Sequence, residues 1–370
     1  MEGAEPAGCR PGQTPTSPNA LAGRIALGTY NLIAYHPGQH RKGVPVLRLL
    51  LVLVLVVGAG GKRLHAEAIT IASWNIADLH HQEGVFLRAF SEDYRSVART
   101  AADFDLLATY RDRLGGGGTP ADVIALQEIG TRAALDRLFP DDLYDTLLSS
   151  RWTGDAAPEG EGDVYTAIAV RRASGIRIVE RDDLPGLAIR HTDGHMTRAG
   201  TGALLDFRGR QFWFLSVHLK SSCRDTKSVH LSRQDDCITL WRQIPALRAW
   251  IEERRASGLP FVIAGDFNRE FRRFGDAGPV WKALNGVGPD GVVTRPDLVK
   301  YPIFADRACP TRRGNSTEPI DWFLVDARLA PRVQLGSFRE IRYADGDISA
   351  TRGGMGLSDH CPISFQIDVD

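Results

Sequence analysis

The stretch Leu259-Pro260-Phe261-Val262-Ile263-Ala264-Gly265-Asp266-Phe267-Asn268 decides the fold. Leu259 to Gly265 reads as a short buried strand, a brief apolar run bounded by turn formers. Gly265-Asp266-Phe267-Asn268 places a carboxylate and an amide where that strand ends. Alone, these four residues could be a plain turn, and a single carboxylate beside a strand is more often a turn or cap residue than a functional one. Five other segments repeat the design: Ser73-Trp74-Asn75, Leu126-Gln127-Glu128, Ser216-Val217-His218-Leu219-Lys220-Ser221, Pro319-Ile320-Asp321-Trp322 and Leu357-Ser358-Asp359-His360. In each, polar residues are expected at the carboxyl end of an apolar strand or just past it. Six repetitions in one chain are hard to explain as turns.

Around these segments, alternating or continuous apolar runs predict strands at 68–75, 121–128, 165–171, 202–207, 211–218, 320–325 and 361–367. Two helices are expected. One covers 91–114, with Ser91 as cap and Gly115 to Gly118 as stop. The other covers 233–255, with Ile238, Trp241, Ile244, Leu247, Trp250 and Ile251 on its apolar side. Many strands in antiparallel-looking pairs and a few long helices suggest packed sheets with helices outside. No internal repeat or long linker interrupts 69–370, so this span reads as one domain.

Hydrophobic residues make up 43% of the chain and charged residues 24%, the balance of a soluble globular protein. Formal net charge is zero. Seven Lys/Arg and three Glu fall in residues 1–68, which leaves the remainder 38 basic against 42 acidic residues. A mildly acidic body excludes tight nucleic-acid binding driven by charge alone and suits a protein that gathers carboxylates around a cation.

The amino terminus has its own pattern. Residues 49–61 form an uncharged apolar run preceded by Arg41, Lys42 and Arg48, and Ala66-Glu67-Ala68 follows it. That is the order of a secretory leader. The run is shorter than the roughly 20 residues needed to span a bilayer, so no stable membrane anchor is expected. Residues 1–43 read as a disordered extension or as sequence upstream of the true start, 44–68 as the leader, and 69–370 as the mature domain. The expected location is secreted or periplasmic.

Asn75, Glu128, His218, the Gly265-Asp266-Phe267-Asn268 motif, the Ile320-Asp321 strand and Ser358-Asp359-His360 resemble, in their order, the motif series of the endonuclease/exonuclease/phosphatase superfamily, in particular its deoxyribonuclease-like members. The match covers about 69–370. The resemblance implies a four-layer α/β sandwich, two packed, mainly antiparallel sheets flanked by helices, with the site at one rim. It implies a hydrolase of phosphoester bonds that uses a divalent cation, Mg²⁺ with Mn²⁺ or Ca²⁺ as alternatives. It further implies a phosphoester substrate, with nucleic acid the leading choice, and a monomer.

The chemistry explains the residue types. A phosphodiester repels an attacking anion, so a cation must neutralise charge on the phosphoryl oxygens while water is activated for in-line attack. A hard ion favours carboxylate and amide oxygens. By the resemblance, Glu128, Asn75 and Asp359 are the metal residues. His360 is the base, held by Asp321. His218 acts on the leaving oxygen, and Asp266 and Asn268 position water and phosphate. In an extended segment, Asp359 and His360 would point to opposite faces. A sphingomyelinase-like lipid phosphodiesterase, a small-molecule phosphatase and a non-catalytic binding module of the same fold are the competing readings.

Other features carry less. His191 and His195 have a metal-like spacing, but Thr192, Asp193 and Gly194 argue for a loop. Arg198 could reach a phosphate or simply be solvated. Gly115 to Gly118 lacks a following Lys-Ser/Thr pair and is no phosphate cradle. Cys223, Cys237, Cys309 and Cys361 are an even set after a leader, consistent with two disulfides in three possible pairings. Proximity on the flanks of one loop points to Cys223 with Cys237. Cys309 with Cys361 follows by elimination, if the strands they flank are neighbours as the resemblance implies.

Overall fold

Successive side chains of a strand face opposite ways, and strand β1 (Ala68–Leu79) uses that alternation to feed two cores. Ile69 and Ile71 enter one; Ala72, Trp74 and Ile76 enter another. The computed structural model describes residues 67–84, 99–154, 164–223, 231–286, 298–301, 319–344, 347 and 357–369. The expected extension and nearly all of the expected leader lie outside these residues.

Eleven further strands follow β1: β2 (Val123–Ile129), β3 (Tyr144–Leu148), β4 (Tyr165–Arg171), β5 (Ile176–Arg181), β6 (Thr201–Phe207), β7 (Arg210–His218), β8 (Phe261–Asp266), β9 (Leu298–Tyr301), β10 (Asp321–Asp326), β11 (Arg339–Glu340) and β12 (Ile363–Asp368). They form two six-stranded sheets, in the orders β11-β12-β1-β2-β4-β3 and β5-β6-β7-β8-β10-β9. Each sheet is mixed. It has one parallel pair, β1 with β2 or β7 with β8, and its other pairs are antiparallel.

Between the sheets lie Ile71, Val123, Ala125, Ile168, Leu205, Phe214, Val262, Ala264, Phe323 and Phe365, all buried. On the outside of the first sheet, Trp74, Ile124 and Leu126 pack on helices α1 (Ala101–Arg111) and α2 (Arg132–Leu138) through Phe104, Leu107 and Leu135. On the outside of the second, Trp213, Leu215, Ile263 and Trp322 pack on α3 (Asp235–Ala256) and α4 (Pro279–Leu284) through Leu240, Leu247, Trp250 and Trp281. Helix, sheet, sheet and helix give the four-layer α/β sandwich.

The differences from the sequence reading have physical causes. Strands β3, β5, β9 and β11 and helices α2 and α4 carried no readable signal. The four strands are the outer strands of their sheets, short and half-exposed; β5 buries only Ile176 of its six residues. Such edges lack the apolar run of a central strand. The described part of the first expected helix begins at Thr100, whose side chain and that of Asp103 form a capping box; Ser91 lies outside the described residues. In α3, Ile238 is 42% exposed and not on the packed face. Cys223 and Cys237 are bonded, which joins the segment after β7 to the first turn of α3. Cys361 is disulfide-bonded; the expected pairing with Cys309 falls on a residue outside the described ones.

Candidate active site

The inter-sheet core becomes polar at one rim without a change of strand face. On β7 the inward positions run Phe212, Phe214, Ser216, His218; on β8, Val262, Ala264, Asp266; on β10, Val325, Phe323, Asp321; on β1, Ile69, Ile71, Ser73, Asn75; on β2, Val123, Ala125, Gln127. The same period-two rule that buries the core therefore delivers the functional groups. Register aligns them. Asp266 is opposite His218 on one side and Asp321 on the other, and Asn75 is opposite Gln127.

Two of these segments correct the sequence reading. Asp321 opens β10, and Ser358-Asp359-His360 precedes β12; neither lies at a carboxyl end. Both strands run antiparallel to their neighbours, so their beginnings meet the same rim as the ends of β1, β7 and β8. Residues 357–360 are also bent and not extended, and Asp359 Oδ1 stands 3.9 Å from His360 Nε2. The two side chains do not face apart.

Gly265 holds the row together. Its φ is +149°, and a Cβ there would stand 2.0 Å from the Val217 carbonyl oxygen. Only glycine lets β7 and β8 approach this closely while His218 and Asp266 stay paired. Glu128 is placed by a different device. Alternation after Gln127 would turn it away from the rim, but the registers with β1 and β4 both shift here and its φ is +62°. A bulge can re-aim a side chain. Glu128 Oε1 lies 3.4 Å from Asn75 Nδ2, and Oε2 accepts the Asp78 amide at 3.0 Å.

Asp266 Oδ2 is the point of convergence. It accepts Asn75 Nδ2 at 3.2 Å, His218 Nε2 stands 3.5 Å away, and His360 Nε2 3.7 Å away. Its Oδ1 accepts the Asn268 amide at 2.8 Å. His218 Nε2 is 3.9 Å from Glu128 Oε1. Asp321 Oδ2 and His360 Nδ1 are 2.7 Å apart. Asn268 Nδ2 donates to the Leu219 carbonyl at 3.0 Å, tying the Gly265–Asn268 turn to the segment after β7.

The electrostatics follow from burial and crowding. Burial pushes the Asp266 carboxyl up to about 7, with the charge of His360 opposing and those of Asp321 and Glu128 adding to the rise. Burial works against a charged His360, but the carboxylates of Asp321, Asp266 and Asp359 outweigh it and hold the imidazolium well above its ordinary range. Asp266, Asp321 and His360 offer ligand atoms that all lie within 4.8 Å of one another. Two carboxylates and an imidazole sharing one low-dielectric rim, with the Glu128 carboxylate adjacent, form a donor set that suits a divalent cation. Asn75 turns its amide nitrogen toward the carboxylates and uses Oδ1 for the Ala77 amide.

A polar seam supports this rim from below. Gln127 Nε2 donates to Ser216 Oγ at 3.1 Å, and Ser216 Oγ to the Leu126 carbonyl at 3.0 Å, linking the two sheets. Ser358 Oγ donates to the Asn75 carbonyl at 2.7 Å and accepts the His360 amide at 3.0 Å. Trp74 Nε1 donates to Tyr343 Oη at 2.7 Å, and Tyr343 Oη donates to the His360 carbonyl at 3.0 Å. Tyr343 and the buried Arg99 were not singled out by sequence. The one available signal was the Thr100/Asp103 box, which places Arg99 at a helix entrance.

His191 and His195 stay apart from this cluster. The His191 amide donates to the His195 carbonyl at 2.8 Å across a turn, and the His191 ring meets Asp193 at 2.9 Å and Asp236 at 3.2 Å. Arg198 is half-buried just before β6.

Two packed mixed sheets carrying acids, amides and histidines at one rim define a phosphoesterase scaffold. The chain belongs to the Endonuclease/Exonuclease/phosphatase family, whose profile matches residues 72–360. Members of that family are hydrolases acting on phosphoester bonds and generally depend on divalent metal. Among solved structures, the endonuclease/exonuclease/phosphatase from Bacteroides vulgatus is similar at 15% identity and TM-score 0.51, over 82% of this chain and 100% of that one. D. rerio TDP2 complexed with single strand DNA product is similar at 17% identity and TM-score 0.49, over 82% and 100%. The human Nocturnin catalytic domain with bound sulfate is similar at 17% identity and TM-score 0.44, over 81% and 93%. No curated protein matches by sequence.

Proposed function

We propose that the chain is an exported phosphodiesterase that cleaves nucleic acid. In this reading Asn75, Glu128 and Asp359 hold Mg²⁺, and His218, Asp266, Asn268, Asp321 and His360 handle the phosphate and its protons. The observation that carries the reading is the pair of imidazole Nε2 atoms, 3.5 and 3.7 Å from one carboxylate oxygen of Asp266. Cleaving a diester requires a proton removed from water and a proton given to the leaving oxygen, and two histidines beside one carboxylate can divide that work.

Asp321 holds the Nδ1–H of His360, which fixes the tautomer and leaves Nε2 toward Asp266. Neutral His360 takes a proton at Nε2 from the attacking water. Asp266 orients that water, and Asn268 meets a phosphoryl oxygen. His218 gives a proton from Nε2 to the leaving oxygen. The cation, when bound, neutralises charge that develops on the phosphoryl oxygens.

Export is supported by the leader-like order of residues 41–68 and by the Cys223–Cys237 bond, which suits an oxidising compartment. Among the described residues no helix is long and apolar enough to cross a membrane. The secreted protein should cleave plasmid DNA or RNA with Mg²⁺ and not with EDTA. Hydrolysis confined to sphingomyelin or to a simple bis-phosphodiester would replace the nucleic-acid reading, and no hydrolysis of any of these would overturn the activity. Amino-terminal sequencing should find a start between Glu67 and Ile69; intact Met1 on cytoplasmic protein would refute export.

A further inference from the structure

Arg99 is 2% exposed and enters the rim from the residue before the α1 cap. Its guanidinium donates to the carbonyls of Ile76, of Ala77 at 2.8 Å, of Asp78 at 3.3 Å and of Leu357 at 2.7 Å. The first three belong to the irregular end of β1 after Asn75, where its register with β2 shifts. Ala77 and Asp78 there have φ of +46° and +51°, a left-handed pair that residues with a Cβ adopt reluctantly. The amide side of this bulge faces the site: Ala77 N–H donates to Asn75 Oδ1 and Asp78 N–H to Glu128 Oε2, both at 3.0 Å. Its carbonyl side faces Arg99. The fourth carbonyl, of Leu357, leads directly into Ser358, which is bonded to the Asn75 carbonyl and to the His360 amide.

One planar, multi-donor group therefore grips two of the segments that line the rim. Nη2, with two N–H groups, serves the carbonyls of Ile76, Ala77 and Leu357, and Nη1 that of Asp78; a lysine has no second nitrogen to reach the Asp78 carbonyl while its ammonium spans the two segments. Resting on the metal-site reading above, we propose that Arg99 is a positioning residue that holds the 76–78 bulge of β1 and the 357–360 segment in one arrangement and thereby sets the affinity of the Asn75/Glu128 side for a divalent cation. It touches neither cation nor substrate. Its effect passes through the carbonyls to the amides that orient Asn75 and Glu128.

The test measures Mn²⁺ affinity of the full secreted protein by titration calorimetry, without substrate. Arg99→Lys should weaken Mn²⁺ binding at least about tenfold, in the range seen when outer-shell partners of a metal site are removed. Arg99→Ala should recover part of that loss in millimolar guanidinium. Arg111→Lys alters another buried arginine, at the far end of α1 from Arg99, which bonds the Leu138 carbonyl and the Asp112 carboxylate; it should leave Mn²⁺ affinity unchanged. Wild-type affinity in folded Arg99→Lys, or an equal loss in Arg111→Lys, would overturn the proposal. A wild type that binds no Mn²⁺ would overturn the metal-site reading itself and this inference with it. Should Arg99→Lys not fold, amide exchange of the wild type decides. The amides of Ala77, Asp78 and His360 should slow together when Mn²⁺ is added, and slowing of one segment alone would refute the coupling.

Discussion

His360 Nδ1 and Asp321 Oδ2 stand 2.7 Å apart although 39 residues separate them in the chain. The contact exists because β10 begins, and the segment before β12 bends, at the same rim. Its consequence is a raised pKa on His360, for which burial is outweighed by the neighbouring carboxylates. A base must be neutral to accept a proton, so activity should fall as pH drops through that raised value. Asp321→Asn removes a charge that favours imidazolium. The acidic limb of the rate profile should move to lower pH while the maximal rate falls. A limb that stays in place would remove Asp321 from this role.

The two histidines should separate by leaving group. His360→Ala and His218→Ala should each lose at least about a hundredfold, since general acid–base groups contribute about 10²–10⁴-fold. On a nitrophenyl diester, whose leaving group departs without a proton, His218→Ala should recover and His360→Ala should not. Equal recovery by both would show the roles to be misassigned.

Glu128→Gln keeps the shape of the side chain and removes its charge. The Mg²⁺ concentration for half-maximal rate should rise at least about tenfold. Near wild-type rates at limiting Mg²⁺ would exclude Glu128 as a ligand.

Linkage gives a prediction about stability without substrate. Asp266 and His360 both bind protons more tightly in the fold than in the unfolded chain. The contribution of Asp266 is full below 3.8 and is lost as pH rises to about 7. That of His360 is full below 6.5 and is lost as pH rises through its raised value. Without metal, the rim should therefore weaken the fold as pH rises. A cation that binds the ionised site offsets this loss, so the Tm increase caused by Mg²⁺ should be larger at pH 8 than at pH 5.5. Thermal scans in Mg²⁺ and in EDTA measure it, and an increment independent of pH would count against a cation at these carboxylates.

Gly265→Ala should be among the most damaging single changes. The added Cβ meets the Val217 carbonyl oxygen at 2.0 Å, so β7 and β8 must part at the His218/Asp266 pair. A loss of about 3 kcal/mol or more in urea denaturation is expected, the upper range for overpacking. Wild-type stability with full activity would refute the close-approach argument.

What the sequence made legible followed from alternation. The central strands are long, apolar and bounded by polar residues, so β1, β2, β4, β6, β7, β8, β10 and β12 were each visible. The outer strands were not, because half their residues meet water; β5 ends Val179-Glu180-Arg181, all exposed. The polar tips were legible as residue types, but their direction was not. Asp321, although inside the expected 320–325 strand, was grouped with strand ends when it opens β10, and Asp359 and His360 were read as opposed when they are adjacent. Glu128 obeys a bulge, and Arg99 reaches four carbonyls that no side-chain pattern announces.

The shared face of core and rim has a consequence for how such a chain can change. In β7, β8 and β10 the residues that fill the interior and those that line the rim are consecutive beads on one side of one pleat. Deleting or inserting a single residue inside these strands would turn every residue beyond the change to the opposite face, so that core and rim groups could no longer share one side. Length variation should therefore accumulate only between strands, where 182–200 and 267–297 already provide long connections. The chemistry and the scaffold are inherited as one unit, and substrate choice is free to drift in the loops around them.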